Sequence, residues 1–166
     1  MKILIWPDPT LKLVSQSVME PLDPTFLREM FLTMKNAGGV GLSAIQVGVP
    51  KRFFIMHPYA HDNGYGTVIV NPIIKTYGGE PTLMNEGCLS LPGQFESIRR
   101  FSGIEVVYWD ENLTAEKTAI LGGQEAHIFQ HEYEHLDGKL FVDKLPAAKR
   151  SLIRGNLQKM KKSGKL

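Results

Sequence analysis

The sequence predicts an α+β domain. Runs rich in β-branched and aromatic residues gather in the middle of the chain, helical periodicities lie on either side, and the two kinds of segment do not alternate as βαβ units require. A length of 166 residues with 43% hydrophobic content suits one domain with a substantial core.

Taken in order, Asp23-Pro24 has the pattern of an N-cap followed by proline in the first helical turn. Leu27, Met30, Phe31 and Met34 then recur at helical spacing, and Gly38-Gly39 ends the run. GGVGLSAIQVGVP (38–50) is too rich in glycine for a regular element and reads as a loop. RFFIMH (52–57), TVIVNPII (67–74), GIEVVYW (103–109) and a segment near 113–120 read as strands, with a hairpin turn at Asp110-Glu111-Asn112. After Gly122-Gly123 the spacing predicts a helix over about 124–136, closed by Gly138. A last helix opens at Pro146, with Leu152, Ile153, Leu157 and Met160 as a partial apolar stripe that Gly155 weakens.

Composition removes several classes. No apolar run is long enough to cross a bilayer, so no membrane partner is expected. The N-terminal MKILIWPDPTLK lacks the pattern of a signal or transit peptide. A single cysteine excludes an internal disulfide and fits a reducing, cytoplasmic location. The net charge of +2 is uneven: residues 144–166 hold eight Lys/Arg and no acidic residue, leaving 11 basic against 17 acidic in the rest. The tail either meets something anionic or is simply a solvated helix end.

Chemistry concentrates in QHEYEHLDG (130–138). His131-Glu132-Tyr133-Glu134-His135 is HExxH, which on a helix offers two metal ligands on one face and a carboxylate at its edge. Ala126, Phe129, Tyr133 and Leu136 fall on the other side, so the helix is expected to be buried on both faces. His127 repeats the i,i+4 spacing with His131. It lies about 12 Å along the axis from His135, too far to share one ion, and reads as a pocket-wall or surface residue.

A catalytic metal normally takes three protein ligands and leaves a position for water. The HExxHxxGxxH pattern finds Gly138 but then Phe141, which cannot coordinate, and no glutamate follows Glu134. Asp137 and Asp143 have no supporting pattern. The remaining soft donor is Cys88, in the upstream segment NEGCLSLPG (85–93). A lone cysteine is often a small buried hydrophobe; the missing third ligand favours coordination here.

GVGLSAIQVG (39–48), EGCLS (86–90) and QHEYEHLDG (130–138), in this order and spacing, resemble the three signature motifs of the peptide deformylases, over residues 1 to about 145. The resemblance implies a catalytic domain at 1–145, with 146–166 as its basic C-terminal helix or tail. It implies mixed or antiparallel sheets packed around a central HExxH metal-binding helix. The implied reaction is hydrolytic removal of the N-formyl group from formylmethionine on nascent polypeptides, releasing formate.

By position, Cys88, His131 and His135 would hold one divalent metal, Fe²⁺ natively, with Zn²⁺, Ni²⁺ or Co²⁺ able to substitute. A bound metal brings the pKa of water to about 7. Glu132 would be the general base and pass the proton to the leaving amine. Gln46 and the Leu89 backbone N–H would face the developing oxyanion. Gly39 and Gly41 would let the main chain pair with an extended substrate. Val40, Leu42, Met84 and Ile128 are candidates for an apolar methionine pocket, or ordinary core, with His127 at the rim. Gly87 would let the cysteine loop approach its surroundings closely. Glu86 would pair with Arg100 to brace that loop, unless Arg100 lies at the surface, and Glu134 would be a carboxylate behind the metal ligands.

Three positions depart from the family pattern: Ser43 in place of the commoner alanine, a mild change; Glu134 in place of aspartate; and Phe95 where many bacterial members carry arginine. The resemblance further implies a monomer whose tail docks on ribosomal RNA. An endopeptidase is disfavoured by the missing downstream ligand. An idle RNA-binding relative is disfavoured by the presence of Gln46, Cys88, His131, Glu132 and His135 together.

Overall fold

The computed structural model describes residues 1–57 and 66–165. Among these residues, five strands form one antiparallel sheet in sequential order: β1 (Gly41–Ser43), β2 (Phe53–Met56), β3 (Thr67–Gly87), β4 (Phe95–Trp109) and β5 (Glu116–Gly122). Three α-helices among the described residues accompany it: α1 (Pro24–Asn36), α2 (Gly123–Leu136) and α3 (Ala147–Lys162). The α+β class is as expected, and α2 packs against β1, β2, β4 and β5.

Local chemistry explains the boundaries. Asp23 caps α1 by accepting from the Thr25 N–H, with Pro24 at the first position. Leu27, Met30 and Met34 are its buried face. α3 begins after Pro146, and its Ile153 and Leu157 are buried in a cluster with Trp6, Leu11, Leu91 and Cys88. The basic helix therefore contributes apolar side chains to the same core that surrounds the cysteine.

Three sequence expectations need correction. Residues 38–50 are not all loop: Gly41–Ser43 form a short buried strand, followed by a 3-10 turn at Ala44–Val47. Only three residues pair, opposite Phe54–Met56, too few for periodicity to register. Second, β3 and β4 are much longer than 67–74 and 103–109. Their paired ends carry Gly78, Gly79 and Pro81, which read as breakers but fall at a register shift between Gly78 and Pro81. Pro72 sits in another such shift, beside Asn71 at φ 48°. Third, the turn after β4 extends through Ala115. The Asp110 side chain accepts from both the Thr114 N–H and its hydroxyl, which holds the longer turn closed.

Candidate metal centre

Helix α2 is buried on both sides, as its pattern demanded. Ala126, Phe129 and Leu136 join a core cluster with Phe54, Ile69 and Val106, and Tyr133 packs against it. On the other side, His131, Glu132 and His135 are buried too. The long β3–β4 pair ends at Gly87 opposite Phe95, and the next residue, Cys88, drops onto the histidines. Cys88 Sγ lies 3.3 Å from His135 Nε2. The rings of His131 and His135 meet edge to face, with centroids 5.0 Å apart. One donor atom from each of Cys88, His131 and His135 falls within 4.8 Å of the others, and all three residues are buried.

This donor set fits a metal ion. Tetrahedral bonds of about 2.0–2.3 Å place neighbouring donors roughly 3.3–3.8 Å apart, so the sulfur–imidazole separation needs almost no adjustment. Burial works against an imidazolium at His131, but hydrogen bonds with Cys88 and Glu86 outweigh it and hold its pKa at about 10. His135 goes the other way: burial, then the charge on His131, push it well below the ordinary value. A metal ion is the cation that all three donors can share.

Behind the ligands stands a chain of ionic contacts. Glu86 Oε2 is 2.9 Å from His131 Nδ1, which leaves that ring's Nε2 for coordination. Arg100, buried and so not at the surface, grips Glu86 through Nε and through Nη2 at 2.9 Å. Burial disfavours the Glu86 charge, yet the His131 and Arg100 hydrogen bonds prevail and hold the carboxyl at about 2. Arg100 Nη1 also reaches Glu134 at 3.1 Å, and Glu134 takes Lys144 Nζ at 2.5 Å. Glu134 Oε1 thus sits between the arginine and the lysine that follows Asp143.

A cavity of about 540 Å³ opens onto this centre. Gly39, Val40, Gly41, Met84, Glu86, Gly87, Leu89, His127, Ile128, His131 and Glu132 all line it. Leu42 does not: its side chain is fully buried in a core cluster with Met30, Met34 and Phe53, because it points to the opposite face of β1 from its neighbours. His127 is a wall residue, its Nε2 3.0 Å from Thr82 Oγ1; burial lowers its pKa and keeps it neutral. Gly41 is required by space, since a Cβ there would lie 2.5 Å from Glu132 Oε1. A Cβ at Gly87 would lie 2.7 Å from the Phe95 ring, which would have to shift to make room for it.

Gln46 is buried beside the ligands. Its Oε1 accepts from the Ser43 N–H, which directs Nε2 to Cys88 Sγ at 3.4 Å and Ser90 Oγ at 3.1 Å. Burial raises the Glu132 pKa, opposed by the neighbouring His131 and by a hydrogen bond from Ser43. Sequence reading missed the parts played by Ser90, Thr82, Lys144 and Ser43. For Ser43 a signal existed: Ser-x-x-Gln at 43–46 has capping-box spacing, which ties the glutamine amide to the serine backbone.

The chain matches the family model described as "Polypeptide deformylase" over residues 1–151. It is 40% identical over 165 residues to "Peptide deformylase 2" of Xanthomonas campestris pv. campestris, covering 96% of this chain and 95% of the relative. It is 38% identical over 167 residues to a peptide deformylase of Rickettsia typhi, covering 96% and 95%. The crystal structure of a peptide deformylase from Legionella pneumophila superposes with a TM-score of 0.89 at 36% identity, covering 98% of this chain and 96% of that one. A buried cysteine meeting the two histidines of an HExxH helix, on this fold and at this level of identity, leads to one conclusion: the chain belongs to the polypeptide deformylase family.

Proposed function

We propose that the protein hydrolyses the N-terminal formyl amide of formylmethionyl peptides, with Cys88, His131 and His135 holding one divalent metal. The observation that carries the reading is the convergence of these three buried donors, with Cys88, His131 and Glu132 lining an open cavity. A bound metal supplies an acidified water and charge stabilisation for a developing oxyanion. Fe²⁺ is the native ion in this proposal; the mixed thiolate and imidazole set also suits Zn²⁺, Ni²⁺ and Co²⁺.

The chain's own residues do the rest. Glu132, adjacent to a ligand and on the cavity wall, removes the proton from water as oxygen adds to the formyl carbon. The carbon–nitrogen bond then breaks, and Glu132 delivers that proton to the amine. Formate and a free methionine N-terminus are the products. Gln46 Nε2 and the Leu89 N–H stabilise the negative oxygen of the tetrahedral intermediate, a donor of this kind being worth about 3 kcal/mol.

Gly39, Val40 and Gly41 offer main chain to an extended peptide, with Glu86 and Gly87 opposite. Met84, Ile128 and His127 form the methionine pocket, and Leu42 contributes main chain alone. Formate release from formyl-Met-Ala-Ser by metal-loaded protein is the expected result. Cleavage of casein without formate release would instead support an endopeptidase.

The protein acts as a cytoplasmic monomer on nascent chains, and α3 docks it on ribosomal RNA. Arg150, Lys159, Lys161 and Lys162 are exposed along that helix, while Ile153 and Leu157 lie in the core. Removing the helix would disturb folding, so charge neutralisation is the cleaner test. Replacing these four residues by Gln should abolish co-sedimentation with ribosomes at low salt and leave hydrolysis of free peptide intact. Unchanged co-sedimentation would overturn the docking.

A further inference from the structure

We propose that Ser43 is a positioning residue that couples the general base to the amide facing the oxyanion. The proposal rests on the roles given above to Glu132 and Gln46. Ser43 is fully buried at the end of β1. Its hydroxyl lies 2.8 Å from Glu132 Oε2 and 3.0 Å from the Glu132 main-chain oxygen. The hydroxyl has one proton for these two acceptors, and the shorter contact, to Oε2, is the one that ties the carboxylate. The backbone of the same serine donates to Gln46 Oε1 at 2.9 Å, which orients the amide so that Nε2 faces Cys88. One residue thus fixes two side chains that approach the reacting carbon from different elements.

The constraint on Glu132 is two-sided. Gly41 stands against Oε1, where even a methyl group would collide, while Ser43 ties Oε2. Gly41 and Glu132 both line the cavity, whereas Ser43 is fully buried. A base must be held within about 0.5 Å of its productive position, because a displacement of about 1 Å costs up to roughly a hundredfold in rate. Without the hydroxyl, a buried carboxylate oxygen loses its partner and the side chain is free to leave that position. A purely structural serine, satisfying a buried strand, would affect folding and metal content without acting selectively on turnover.

The test compares Ser43→Ala and Ser43→Thr with the wild type, all metal-loaded. Ser43→Ala should lower kcat about tenfold, with KM and metal stoichiometry unchanged, and Ser43→Thr should recover most of the rate through its hydroxyl. Glu132→Asp shortens the base beyond reach of the hydroxyl, so Ser43→Ala added to it should cost no further activity. Crystals of Ser43→Ala should show the Glu132 carboxylate displaced or in two rotamers, a readout that holds even if the wild type releases no formate. A kcat within twofold of wild type, full additivity with Glu132→Asp, or an unmoved carboxylate overturns the proposal. A wild type inactive on formyl-Met-Ala-Ser counts against the deformylase reading instead.

Discussion

Replacing Glu86 by Gln keeps the side chain's shape and removes the charge that braces His131. In the native protein the carboxyl is held at about 2 against an ordinary 4.5. By linkage this corresponds to about 3 kcal/mol of folded-state stability near neutral pH. Removing one partner of a buried ion pair independently predicts about 3–5 kcal/mol, and Arg100 keeps Glu134 as a second partner, which favours the lower end. For a domain of this size, such a loss lowers the melting temperature by roughly 6–12 °C.

The measurement is thermal and urea denaturation of chelator-treated protein, so that metal binding adds nothing to the native state. Because the folded carboxyl titrates below its unfolded counterpart, its contribution is complete above about pH 4.5 and is lost as the pH falls toward 2. The gap between variant and wild type should therefore narrow below pH 4.5. With metal restored, the variant should bind it about 10–100-fold more weakly, since His131 Nδ1 loses a charged acceptor. A variant that melts within about 2 °C of wild type at pH 7, or a gap that stays constant into acid, would refute the reasoning.

Glu132→Gln should reduce kcat by about 10²–10⁴ with metal content preserved, checked by formate release beside elemental analysis. Phe95, 64% exposed and stacked on Gly87 at the cavity, should govern peptide binding more than metal binding. Phe95→Arg is expected to change KM for formyl peptides at constant metal content, and equal affinity and turnover would count against it. Leu157→Ala should cost about 2–5 kcal/mol in urea unfolding, because Leu157 is buried with Trp6 and Cys88 although the helix around it is basic.

The helices were legible because each carries a cap or a sustained apolar face: Asp23 before Pro24, the buried stripe of Leu27, Met30 and Met34, and the two-faced pattern of 124–136. The donor set was legible because HExxH left one ligand to be found and the chain holds one cysteine. The long ends of β3 and β4 were hidden by Gly78, Gly79 and Pro81, which a sheet tolerates at a register shift that only the pairing partner reveals. For Leu42 the sequence left pocket and core both open, for a related reason. An apolar residue that follows the cavity-lining Gly39–Gly41 segment reads equally as pocket lining until the strand's alternation turns it into the core. Ser43 differs again: its spacing to Gln46 is visible in one short segment, but its bond to Glu132 joins residues 89 apart in sequence.

X-ray absorption on Zn²⁺-loaded protein tests the central claim most directly. Coordination by Cys88, His131 and His135 predicts one sulfur at about 2.3 Å, two imidazole nitrogens at about 2.0–2.1 Å and one lighter solvent donor, with the sulfur shell lost in Cys88→Ala. A spectrum with no sulfur, or one unaltered by Cys88→Ala, would mean that the ion sits elsewhere and would contradict the account.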